Sequence, residues 1–246
     1  MSKNYCGYDH LIILGGIIRE SRYFFQILFL PEVNGVAHTL GRWVRYLEAR
    51  GVHCKVFAPK SKGQDPFGKE VERFHSIPFL LYPECKVAIP RLIYMNKRLK
   101  DFEPDLIHVA TPFNLGLYGH HFARKHRIPL VASYHTNFEQ YLQHYKLSWA
   151  ERLLQNYLSW FHQYCQKTYV PSPSTLEHLS KQGYNNLEIW GRGIDTNTFA
   201  PACNREQVLS RYNIDPSTFA LLYVAAWHRR RVSIFYSVHM KRCRAE

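Results

Sequence analysis

The chain has 246 residues, enough for one large domain or two small ones, and its 46% apolar and 21% charged content excludes a mainly disordered, collagenous or coiled-coil protein. The six cysteines are scattered with no C-x-x-C pair, which indicates neither a zinc knuckle nor a disulfide framework and fits reduced thiols in the cytosol. Net charge is +13, which favours anionic partners: nucleic acid, lipid headgroups or a sugar nucleotide.

Leu11–Ile18 is the longest aliphatic stretch. It falls short of the roughly 20 apolar residues a bilayer span takes, and no small-residue cleavage site follows it. From Phe29 to Val224 short β-type runs alternate with helical periods. Val36, Leu40, Trp43, Val44 and Leu47 mark one helical face, with Gly51 as its stop. Val52–Ala58 reads as a strand, and residues 59–90 are broken by Pro, Gly and Lys, with apolar pieces at Ile77–Tyr82 and Val87–Ile89. A helix over Arg91–Phe102, a buried strand over Leu106–Val109, a helix over Leu115–His126 and a strand over Pro129–Tyr134 follow. Phe138–Tyr145 and Trp149–Cys165 read as aromatic-rich helices, and Thr168–Val170 as a strand. Pro173–Gln182 is a helix ending at Gly183, Leu187–Trp190 a strand, Glu206–Tyr212 a short helix and Phe219–Val224 a last strand. This alternation predicts an α/β fold, a Rossmann-like parallel sheet with helices on both faces. Ligands bind such sheets at the carboxyl ends of the strands, which singles out the loops 30–36, 110–115 and 135–137.

In the first of these loops, Asn34 and Gly35 precede a helix. A glycine there lets backbone N–H groups approach a phosphate, while a plain turn with Asn34 as helix cap accounts for the same residues. His135, in Ser133-Tyr134-His135-Thr136, ends a buried strand, where it would bond or share a proton with a substrate, or bond a neighbouring backbone group. His108 also ends a strand, without a comparable polar cluster after it. Phe138, Tyr141 and Tyr145 at helical spacing suit a sugar-stacking platform or a lipid-groove wall, with core packing the stronger reading for Phe138. Gly191-Arg192-Gly193-Ile194-Asp195 closes the last strand of the body. Gly193 is suited to a positive φ and Asp195 to capping, in a turn into an interdomain linker or a ligand contact.

These pieces, in this order, resemble the family-4 glycosyltransferases, retaining nucleotide-sugar enzymes of GT-B architecture. The resemblance rests on residues 30–37 (Leu-Pro-Glu-Val-Asn-Gly-Val-Ala), 104–108 (Pro-Asp-Leu-Ile-His), 133–136, Pro171-Ser172 and 191–201, and it covers about 30–224. It is greatest to bacterial members acting on lipid or cell-envelope acceptors, among them mannosyl- and sulfoquinovosyl-transferases. The resemblance implies a hexosyltransferase in which Asn34 and Gly35 face the donor diphosphate and His135 contacts the sugar and the reacting centre. Thr136, Asn137, Tyr141 and Tyr145 would shape the acceptor side, and Arg192, Gly193 and Asp195 the interdomain turn. It implies no metal and no cofactor beyond the nucleotide-sugar donor, which is a substrate. A lipid or glycan acceptor, peripheral contact with an anionic membrane at its inner, cytoplasmic face, and no nucleic acid complete the expected partners.

In this family a second domain holds the nucleotide through a Gly-Arg…Glu-Lys run, and here that run is absent. Written as GTG GCC GCC TGG CAC CGG AGA AGG, residues 224–231 become Val-Gly-Arg-Leu-Ala-Pro-Glu-Lys when one G is added after the first codon. A similar slip near Phe29 restores the family's first strand. The expected organisation is therefore an out-of-frame segment at 1–29, the Rossmann-like N-terminal domain of a GT-B fold at 30–200, and a linker with the first strand of the second domain at 201–224. An out-of-frame basic tail at 225–246 completes it, with the second domain missing and the chain inactive alone. The sheet would then lack its in-frame first strand, with residues 11–18 or 23–30 as substitutes by composition. The alternative function is a non-catalytic module that binds an anionic membrane or an acceptor.

Overall fold

Two short, mainly apolar runs, 106–109 and 130–133, are buried at every position, as central strands of a parallel sheet covered on both faces must be. The computed structural model describes residues 22–26, 35–60, 71–79, 82–135, 148–191, 193, 204–217 and 219. In chain order it contains β1 (Arg22–Gln26), α1 (Gly35–Glu48), β2 (His53–Pro59), β3 (Val71–Phe74), β4 (Ser76–Phe79), β5 (Tyr82–Ala88), α2 (Leu92–Phe102) and β6 (Leu106–Val109). There follow α3 (Asn114–His126), β7 (Leu130–Ser133), a single 3-10 turn (Ser148–Ala150), α4 (Glu151–His162), β8 (Lys167–Val170), α5 (Pro173–Lys181), β9 (Leu187–Ile189) and α6 (Arg205–Arg211). Seven strands form one sheet in the order β3-β2-β1-β6-β7-β8-β9. Every pairing in it is parallel.

Side chains alternate across this sheet, and the helices divide accordingly. Leu40, Val44 and Leu47 of α1 pack on Cys54, Val56 and Ala58 of β2. On the opposite face, Met95 and Leu99 of α2, Leu115 and Phe122 of α3 and Phe161 of α4 bury Phe57, Ile107, Leu130 and Ala132. Leu179 of α5 packs on Val170 and Tyr134. Glu72 ties the edge strand β3 inward, accepting from Arg98 Nε of α2 at 2.5 Å and pairing with Lys55 Nζ of β2 at 3.3 Å. The helix stops expected at Gly51 and Gly183 are present, with φ of 78° and 91° that a side chain would strain.

Three points of comparison with the sequence reading stand out. First, the stand-in for the in-frame first strand, expected by composition at 11–18 or 23–30, falls at Arg22–Gln26 as β1, overlapping the second of these. It runs at the centre, with Tyr23 opposite Cys54 on β2 and Leu106 on β6. Three consecutive aromatic residues at 23–25 favour extended backbone, and the Arg22 N–H is held by Asp105 Oδ2 at 2.8 Å. Second, the broken stretch 71–88 contains an antiparallel pair, β4 with β5, which shifts register between Pro78 and Phe79. Third, α4 is shorter than the Trp149–Cys165 pattern, because Ser148–Ala150 turn more tightly as a 3-10 segment. The helix expected at Phe138–Tyr145 and the strand expected at Phe219–Val224 lie outside the described residues, apart from Phe219, which is exposed.

The chain divides into two compact units, Met1–Gly193 and Ile194–Glu246. In the second, α6 is capped by Asn204, whose Oδ1 accepts from the Gln207 N–H at 3.3 Å. Among the described residues no helix is long and apolar enough to cross a membrane.

Candidate functional site

The sheet order reverses between β1 and β6: from β1 the chain steps to β2 and β3, and the later strands add on the other side. An open α/β sheet forms its crevice at such a switch point, outside the carboxyl ends of the strands. At that edge α1 begins, after β1, at Gly35. The first N–H groups of a helix have no intrahelical acceptors and carry the positive end of its dipole. The first turn of α1 contains no acidic residue to occupy them, and Thr39 turns its hydroxyl back to the Gly35 carbonyl at 2.7 Å.

Next to the switch point, β6 places His108 in an otherwise apolar strand. In the ladder His108 faces Val131 of β7, and two residues on, Ser133 returns to the same face. His108 Nε2 and Ser133 Oγ share a hydrogen bond of 2.5 Å. Burial, reinforced by the neighbouring His135, holds the His108 pKa down at about 3, so the ring is neutral at pH 7.

His135 follows β7 at the same edge and is half-buried. Its ring centroid lies 5.7 Å from that of Trp190. Trp190 is anchored by its backbone N–H on the Val170 carbonyl at 2.8 Å, just past the end of β9. Its indole also lies 6.1 Å from Tyr169, 6.1 Å from His108 and 6.0 Å from Trp43 of α1. Rings from α1, β6, β8 and the segment after β7 thus meet on the one indole after β9. Such packing fixes a half-exposed imidazole in one orientation, which a group that bonds or protonates a ligand requires. Among the described residues, no group of three or more His, Cys, Asp or Glu is arranged to hold a metal ion.

Of the residues singled out by sequence, His135 and Gly35 both stand at the carboxyl edge. Gly193 follows β9 and is exposed, but its φ is not positive and nothing lies within 4 Å of where a Cβ would stand. The left-handed turn expected there is therefore not what closes the strand, and no close approach demands glycine. Asn34, Thr136, Asn137, Tyr141, Tyr145, Arg192 and Asp195 lie outside the described residues. Sequence reasoning missed the His108–Ser133 pair and the role of Trp190. The only signal for the pair was a polar residue in each of two adjacent apolar runs; a strand-end Trp gave none for the ring cluster.

The model of Glycosyltransferase Family 4 matches residues 33–198. A GDP-mannose-dependent alpha-mannosyltransferase of Mycobacterium tuberculosis (strain CDC 1551 / Oshkosh) is 30% identical over 193 residues, 76% of this chain and 51% of that protein. A sulfoquinovosyl transferase of Arabidopsis thaliana is 26% identical over 200 residues, 78% of this chain and 39% of that protein. The chain spans about half the length of the curated relatives it matches, or less. Among solved structures, a sucrose-phosphate synthase from Thermosynechococcus elongatus superposes with a TM-score of 0.56 at 12% identity, covering 79% of this chain and 53% of that one, a likeness of fold.

Proposed function

The chain belongs to glycosyltransferase family 4, and from that premise we propose that it is the acceptor-side half of an enzyme that moves a sugar from a nucleotide-sugar donor to a lipid or glycan acceptor with retention of configuration. The observation that carries this reading is the family match over the stretch that also builds the sheet's carboxyl edge, with His135 set against Trp190. In this reading Asn34, Gly35 and the first N–H groups of α1 face the donor diphosphate, where charge builds as the glycosidic bond breaks. His135 contacts the sugar at the reacting centre, its ring held by the indole behind it. Thr136, Asn137, Tyr141 and Tyr145 line the acceptor side, and Arg192, Gly193 and Asp195 form the turn toward the domain that carries the nucleotide. Catalysis then rests on positioning and on stabilising the leaving diphosphate, with no metal.

The names of the relatives point to hexosyl donors, GDP-mannose among them, and to membrane-associated acceptors such as diacylglycerol-based lipids. With the chain's +13 charge, this supports work at the inner face of a membrane, by peripheral contact from the cytoplasm. The test is transfer of labelled hexose from GDP-mannose, UDP-glucose and related donors into a lipid extract by the enzyme of which this chain is the acceptor-side half, with the anomeric configuration read by NMR. The expected product keeps the donor's configuration. An inverted product, or no transfer from any nucleotide sugar, overturns the reading.

A further inference from the structure

An open groove of about 780 Å³ runs along the outer side of α3. Leu92 at the start of α2, Leu117 and Tyr118 of α3, Trp160 of α4 and the buried His120 line it. It is a built surface. Asn114 donates its side-chain amide to the Ala88 carbonyl at 3.1 Å, and the Tyr118 hydroxyl donates to the Leu92 carbonyl at 3.3 Å. The Arg124 guanidinium lies 3.6 Å over the Tyr164 ring, which meets Trp160 edge-on at 6.3 Å. His120 stacks on Phe161 at 4.8 Å, and its Nε2, buried at the groove, has no hydrogen-bond partner.

Asn114, Leu117, His121 and Lys125 recur at successive turns, so apolar and basic groups share the outward stripe of α3. His121, Arg124 and Lys125 line the groove, and no carboxylate among the described residues does. Beside it Leu92 is 56% and Ile93 90% exposed. Exposed aliphatic and indole groups with basic side chains beside them suit an anionic bilayer surface, with acyl chains below and phosphates above.

We propose that this groove, walled by Leu117 and Trp160 and rimmed by Arg124 and Lys125, is the surface by which the chain docks onto an anionic lipid bilayer. The inference deepens the reading of peripheral membrane contact and rests on it. The test is cosedimentation of the 246-residue chain with vesicles of phosphatidylcholine mixed with phosphatidylglycerol, and with vesicles of phosphatidylcholine alone. Two charge-reversal pairs are compared: Arg124→Glu with Lys125→Glu at the groove, and Lys181→Glu with Arg211→Glu on α5 and α6 as controls of equal charge change. Circular dichroism melts check that each pair folds.

The chain is expected to bind the anionic vesicles only, the groove pair to lose about tenfold or more in partitioning, and the control pair to lose much less. Equal losses from both pairs mean diffuse attraction to a basic protein and overturn the groove, while peripheral binding itself stands. Binding unchanged by the groove pair overturns it too. A chain that ignores anionic vesicles removes the membrane reading with it. Self-association in sedimentation velocity that the groove pair abolishes, without vesicle binding, assigns the groove to a second copy of the chain and overturns the proposal.

Discussion

His108 and His162 take up a proton below pH 6.5 in the unfolded chain, and the fold holds them neutral there. His108 bonds Ser133 between β6 and β7, and His162 Nδ1 sits 3.3 Å from Thr168 Oγ1 between α4 and β8. Burial, aided in each case by a second histidine, lowers their pKa values to about 3 and about 4, from 6.5. Because the folded pKa lies below the unfolded one, the unfolded state binds more protons on acidification, and stability falls as pH drops below 6.5. Each group removes about 1.4 kcal/mol per pH unit in that window, so the two together remove about 4 kcal/mol between pH 6.5 and pH 5. Urea denaturation at a series of pH values checks this, and a flat profile from pH 7 to pH 5 would contradict it. His108 was visible in the sequence only as a histidine at a strand end. Its bond to Ser133 depends on the register of β6 against β7, which periodicity does not encode. His135 was legible because it follows a buried strand at the carboxyl edge, where such sheets bind ligands.

At the scale of elements, α1 was the most legible, because its buried residues recur at steps that suit one turn of helix and Gly51 stops it. The β4–β5 pair was illegible: Pro78 and Pro83 interrupt it, and no Asn-Gly or Asp-Gly turn announces it. The decisive element is β1. Residues 1–29 were expected to be out of frame, with 11–18 or 23–30 as stand-ins for the first strand, and Arg22–Gln26 take that place, pairing with both β2 and β6 in the middle of the sheet. A central strand opens only with the whole domain, so the amides of Tyr23–Gln26 should exchange with deuterium as slowly as those of β6. Exchange at the rate of a free peptide, with β6 still protected, would mean the sheet stands without these residues.

At the scale of the molecule, alternation of apolar runs and helical periods was enough to set a parallel sheet with helices on both faces, and the carboxyl ends of its strands are the edge where such sheets bind ligands. What stayed hidden is how that edge is braced. Trp190 comes from the far side of the sheet, yet it touches rings from β6, β8, α1 and the segment after β7, a convergence that exists only once strand order and twist are set. The central claim is that this braced edge is where sugar transfer occurs, with His135 at the reacting centre. The most direct test compares kcat for hexose transfer by the wild-type protein, expressed from its own gene, with that of His135→Ala, alongside melting temperatures. The account predicts a fall of about 100-fold or more in kcat with little change in melting, as for loss of a group that acts on the reacting atoms. Transfer undiminished by the substitution would contradict it.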